Sequence, residues 1–238
     1  PKMGYYLYHR RGLRGAIKGA RTEFELACKL MDWARRQGRN GLFIPRPRWH
    51  AAEILSTKSR DRRPLPYQVA LCEGLLGRGV TARIVAFTEG AGLHHLCEFR
   101  SADYGKWVAL DALTGDYFVD GDTGVPLSAL ELHQRQRGAA ADTSSGSSDL
   151  SAEALNLRII RRGRALDGDH PLPGGAVGAL LMVPRNDFSA SPGPVPLNGD
   201  TSPGGWTGYL QWIGPGEAPV PWLDGGIDRP RDWDWAQC

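Results

Sequence analysis

Little in this sequence fixes a function outright. Cysteine is scarce, with four in 238 residues, at Cys28, Cys72, Cys97 and Cys238. They form no CxxC pair, so neither a zinc site nor a disulfide framework is indicated. Unpaired thiols tilt the expected compartment towards a reducing one, the cytoplasm. No apolar run approaches the roughly 20 residues of a membrane span, so none is expected. Neither sign of charge dominates: 29 basic residues meet 26 acidic ones, for a net charge of +3. That is too weak to call for nucleic acid as a partner. The short basic runs Arg10–Arg14, Arg60–Arg63 and Arg158–Arg164 read as solvated faces and loops. The chain begins at Pro1 rather than Met, which leaves a preceding segment open. No metal or other cofactor is expected.

What is present is an ordinary globular pattern, 41% hydrophobic and 23% charged. Residues 1–21 read as a basic, aromatic arm. Thr22-Glu23-Phe24-Glu25 is a capping box that opens a helix ending near Gln37-Gly38. Asn40–Trp49 is a loop with two prolines, Ala51–Leu55 a short helix, and Pro66–Gly77 a further helix with proline in its first turn. Three strand-like runs follow, Val80–Thr88, His94–Ser101 and Lys106–Ala112, separated by glycine and aspartate turns. Asp116–Gly124 reads as a turn region and Leu127–Gln134 as a short helix. Gly138–Ser151 is low in complexity and reads as a flexible loop. Beyond it, glycine and proline concentrate, and Leu155–Arg161, Ala176–Val183 and Tyr209–Ile213 are candidate strands. Ser189–Gly205 is a loop, and the tail carries Trp233 and Trp235, read as docking back on the body. A helix followed by an antiparallel meander predicts an α+β class. The expected divisions are 1–21 for the arm, 22–137 for the core, 138–152 for the loop and 153–238 for a β-rich, loop-rich extension.

The chemistry-bearing pair is His94, at the start of the second run, and Asp111, near the end of the third. In an antiparallel pair these ends adjoin. Alternation puts His94, Leu96 and Glu98 on one face of their strand, and Trp107, Ala109 and Asp111 on one face of theirs. If the faces coincide, Asp111 can fix the His94 tautomer and ready the imidazole to take a proton. The same pair would equally serve as a half-buried tie within a hairpin. His95 is the fallback for His94. Cys97 falls on the opposite face, as core.

Three stretches, GVTARIV (79–85), HHLCEF (94–99) and GKWVALDALTGDYF (105–118), resemble the core of the transglutaminase-like, papain-related superfamily. The resemblance covers about Thr22 to His133. It implies helices packed on an antiparallel sheet, with Arg83 in the first motif, His94 and Glu98 in the second, and Trp107 and Asp111 in the third. It also implies a catalytic cysteine at the start of the preceding helix. That segment reads DRRPLPYQ and holds no thiol. Pro64 and Pro66 supply neither a nucleophile nor an N–H. The expectation is therefore a degenerate member that binds a protein or peptide ligand in its cleft. The alternative is an active cysteine peptidase or acyltransferase on an amide bond, with Cys72 as nucleophile, His94 as base and Asp111 as orienter. Cys72 lies about two turns into the helix, where a small core residue fits as well.

Overall fold

The run ARIVAF is buried at every residue from Ala82 to Phe87. A strand without a solvent face needs cover on both sides, and the rest of the chain supplies it. In a computed structural model, residues 12–37, 51–56, 64–89, 92–142, 152–153, 155–167, 170, 172, 180–182 and 210–211 are described. They hold five helices: α1 (Leu13–Ala16), α2 (Glu23–Gln37), α3 (Ala51–Ser56), α4 (Pro64–Leu76) and α5 (Ala129–Asp142). Eight strands form one sheet: β1 (Ala82–Glu89), β2 (Gly92–Ser101), β3 (Lys106–Asp111), β4 (Asp116–Asp120), β5 (Leu157–Arg161), β6 (Arg164–Ala165), β7 (Leu180–Met182) and β8 (Leu210–Gln211). Their order is β6-β5-β4-β3-β2-β1-β7-β8, and every pairing is antiparallel. The class is α+β. No described helix is long and apolar enough to cross a membrane.

Alternation sorts the sheet into two cores. Ala82, Ile84, Ala86, Cys97, Phe99, Val108 and Leu110 face α1, α2 and α4, where Leu13, Leu30, Trp33, Val69 and Cys72 meet them. Val85, Phe87, Leu96, Ala109, Phe118, Leu157 and Ile159 face α5 through Leu127, Ala129 and Leu132. Helix α4 is the innermost element of the first core. Its residues Leu65 to Cys72 are all buried, and Gly74 lies beside Leu13, Leu30 and Trp33. Such a helix has no polar stripe, which suits an element packed on several sides.

The starts of α2 and α5 are fixed by side chains. Thr22 Oγ1 accepts from the Glu25 N–H at 3.1 Å, as the capping box requires, but the Glu25 carboxylate reaches one residue further back, to the Arg21 N–H at 2.8 Å. Asp103, in the β2–β3 turn, accepts from the Phe24 N–H and so docks that turn on the start of α2. Helix α5 has a second capping box. Ser128 Oγ accepts from the Glu131 N–H, and the Glu131 carboxylate accepts from the Ser128 N–H.

Three expectations need correcting. Asp116–Asp120 is a strand, not part of a turn. It pairs with β3 and, through all five residues, with β5, which outweighs the turn-forming aspartates at its ends. Helix α5 runs to Asp142, into the stretch read as a flexible loop, because Ala139, Ala140 and Ala141 favour continuation. Helix α4 begins at Pro64 rather than Pro66, since proline is tolerated throughout a first turn. Strands β5 to β8 of the extension join both edges of the meander. The arm up to residue 11, the segments 38–50 and 57–63, the loop 143–151, Ser189–Gly205 and the tryptophan tail lie outside the described residues.

Candidate functional site

Register brings the polar pair together. Strand β1 pairs with β2 without a break, with Phe87 opposite His94 and Arg83 opposite Glu98. Strand β2 pairs with β3 so that Cys97 is opposite Leu110. Asp111 is therefore a diagonal neighbour of His94 on the same face. Nε2 of His94 lies 3.1 Å from Asp111 Oδ2. The His94 side chain is 20% exposed and that of Asp111 only 4%. With Nε2 committed to the carboxylate, proton exchange with a third group would run through Nδ1.

Asp111 is held from several directions. Its Oδ1 accepts from Gln68 Nε2 at 2.9 Å and from the Leu113 N–H at 2.8 Å. The Thr114 N–H approaches the same oxygen at 3.4 Å. Burial alone would raise the carboxyl, but His94 and the donors of the following turn outweigh it and hold Asp111 below the usual carboxylate value. The site thus contains a fixed anion that orients one imidazole.

Gln68 was not singled out in the sequence. It is the one amide in the buried stretch of α4, and a buried polar side chain needs partners. It finds two at the end of β3: Nε2 donates to Asp111, and Oε1 accepts from the Ala112 N–H at 3.1 Å. The signal was available as a lone polar residue inside PLPYQVALCEGLL.

Cys72 sits one helical turn beyond Gln68 and is fully buried. It packs against Cys97, whose thiol is pushed up by burial and then by its hydrogen bond with Cys72. Cys97 is three residues along β2 from His94, roughly 10 Å at strand rise, and alternation turns the two side chains to opposite faces. Cys72 is therefore anchored in the α4 core, whereas His94 leaves the sheet beside Phe87. Cys28 is half-buried on α2, its thiol raised to about 12 by burial and by Glu25. His95, opposite Ala86, is buried in the α4 core, and desolvation lowers its pKa to about 3.

The other motif residues form a separate cluster. Arg83 donates from Nε and from its terminal nitrogen to Glu98 Oε2, both at 2.8 Å, and its guanidinium lies 3.9 Å from the Trp107 ring centroid. The second Glu98 oxygen accepts from the Ala129 N–H at 2.7 Å, at the start of α5. This buried network ties β1, β2 and β3 to α5.

No group of three or more His, Cys, Asp or Glu side chains among the described residues is arranged to hold a metal ion. Comparison with protein-family models, with curated proteins and with solved structures gave no match.

Proposed function

We propose that this chain is a transglutaminase-like domain without a working thiol nucleophile, which holds a protein or peptide segment beside His94 and Asp111. One observation carries the reading: the nearest helix cysteine, Cys72, packs inside the core on Cys97, away from the imidazole that would have to activate it. A thiol needs a charged or polar neighbour and some exposure to act as a thiolate. Cys72 has no exposure, and the start of its helix offers prolines and arginines instead. The His94–Asp111 pair remains suited to hydrogen bonding, since an oriented imidazole presents one defined donor or acceptor to a bound amide.

The test is alkylation of the native protein with iodoacetamide, read by intact mass and peptide mapping. Cys72 should stay unmodified until the chain is unfolded. Stoichiometric labelling of native Cys72, lost in His94→Gln, would instead mark a Cys-His enzyme and overturn the proposal. In parallel, binding to an array of random peptides should weaken in His94→Ala. Equal binding by that variant would remove His94 from the ligand site.

A further inference from the structure

The β5–β6 hairpin breaks a local rule. Its turn, Arg162-Gly163, has φ of 53° and 76°, the left-handed pair of a type I′ turn. Asparagine is the residue that suits the first of these positions, and arginine there is strained. Like charges flank it, since Arg161 pairs directly with Arg164 across the hairpin. Opposed like charges destabilise a strand pair. An arginine in a strained turn between two others contributes nothing evident to folding, and such exceptions mark functional positions.

A fourth arginine joins them. The Arg162 N–H donates to the Gly115 carbonyl oxygen at 3.4 Å. A Cβ on Gly115 would lie 3.2 Å from Arg35 Cδ and 4.0 Å from Arg162 Cγ, so the bare glycine lets both side chains lie over the β3–β4 turn. Arg161 is neutralised by Asp116, at 2.7 and 2.8 Å. Arg35 reaches Asp32 only at 3.4 Å, and its buried Nε has no acceptor. Arg162 and Arg164 are exposed. Asp32 is shared with Arg36, and Asp111 also acts on Arg161, so three carboxylates answer five arginines, a local cationic excess in a nearly balanced chain.

Register sets the reach of this patch. Asp111 pairs with Asp116, Asp116 with Arg161 and Arg161 with Arg164. Three strand spacings, about 14 Å, separate Arg164 from Asp111. An extended segment of about four or five residues spans that distance.

We propose that the Arg161–Arg164 hairpin, together with Arg35 beside Gly115, is a docking surface for an acidic peptide segment. The proposal rests on the reading of the chain as a peptide-holding domain and names the chemistry of what it holds. Strand β6 borders the described sheet, so it can also offer backbone groups to an extended chain. A nucleic acid fits less well. The exposed large apolar side chains among the described residues are Leu76 and Tyr104, and Tyr104 sits at the β2–β3 turn, at the far end of the sheet.

The test uses fluorescein-labelled decaglutamate, with oligothymidylate of equal charge as comparison, followed by fluorescence anisotropy at low and at physiological ionic strength. The full chain should bind decaglutamate, more weakly as salt rises. The Arg162→Asn/Arg164→Gln variant should bind it roughly tenfold less tightly. Its thermal midpoint should match or exceed the parent's, because asparagine relieves the turn. Unchanged affinity would overturn the proposal, as would a lowered midpoint, which would give Arg162 a structural reason. Tighter binding of oligothymidylate would overturn it in favour of nucleic acid. If the parent does not bind decaglutamate, this inference fails alone. The cysteine-alkylation result on Cys72 stands or falls separately.

Discussion

Glu98→Gln isolates the network that joins the sheet to α5. The change keeps the shape and removes the charge. In the parent, three donors converge on the carboxylate: two from Arg83 and the Ala129 N–H. An amide has one accepting oxygen, so whichever way it turns, its NH2 faces a donor. Arg83, 3% exposed, would be left as a buried cation facing an uncharged amide beside the Trp107 ring. Breaking one side of a buried pair costs about 3–5 kcal/mol, because the surviving charge loses its compensation. The Trp107 contact is already present in the parent and offsets none of that. The expected loss is therefore about 3–5 kcal/mol, or a fall of roughly 10 °C in midpoint for a chain of this size. Urea unfolding followed by tryptophan fluorescence reads it. Arg83→Met/Glu98→Leu removes both charges and should be clearly less damaging than Glu98→Gln alone. A Glu98→Gln midpoint within about 0.5 kcal/mol of the parent would refute the reasoning, being the size of a neutral surface change. So would a double variant worse than the single one.

Two further predictions follow the pH dependence of stability. Asp111 has a lowered folded pKa, so its contribution is present above the ordinary value of 3.8 and lost as the pH falls through the folded value. The parent should lose stability on acidification below about 3.8, and Asp111→Asn should lose less over that window; equal losses in urea titrations would contradict the assignment. His95 has a folded pKa lowered to about 3 by burial, from 6.5, so the unfolded chain binds a proton that the folded chain refuses. Stability should fall as the pH drops from about 6.5 to about 3, by at most about 1.4 kcal/mol per pH unit. His95→Leu should flatten that slope, and an unchanged slope would mean the ring is not held neutral.

The meander was legible because its signal is local. Alternating apolar residues broken by Gly90, Gly92, Asp103 and Gly105 place three strands within two residues of their observed ends. Helix α2 was legible because TEFE carries its own start signal. The second capping box, Ser128-Ala129-Leu130-Glu131, carried the same signal and was passed over, so α5 was begun two residues early and ended too soon. Strand β4 was not legible from its own residues. DYFVD has an aspartate at each end, and only pairing with β5, more than thirty residues away, decides it. The same limit applies to the site. That Gln68 meets Asp111 and Cys72 meets Cys97 depends on how α4 lies across β2, and no spacing in the sequence encodes that.

The motif residues divide by burden. Arg83, Glu98 and Trp107 form a closed buried network, and the fold would require them whatever the chain does. Asp111 also has structural work: it ties α4 through Gln68 and accepts from the N–H groups that turn β3 into β4. Losing it should disturb the sheet end even in a chain with no ligand. His94 differs. It is partly exposed, and it bonds to an aspartate already held by three other donors. Removing its ring should cost the fold about 1.5–3 kcal/mol, the range for a hydrogen bond to a charged group. Of the residues that carry the resemblance, His94 alone is not accounted for by folding, and the functional reading therefore rests on it.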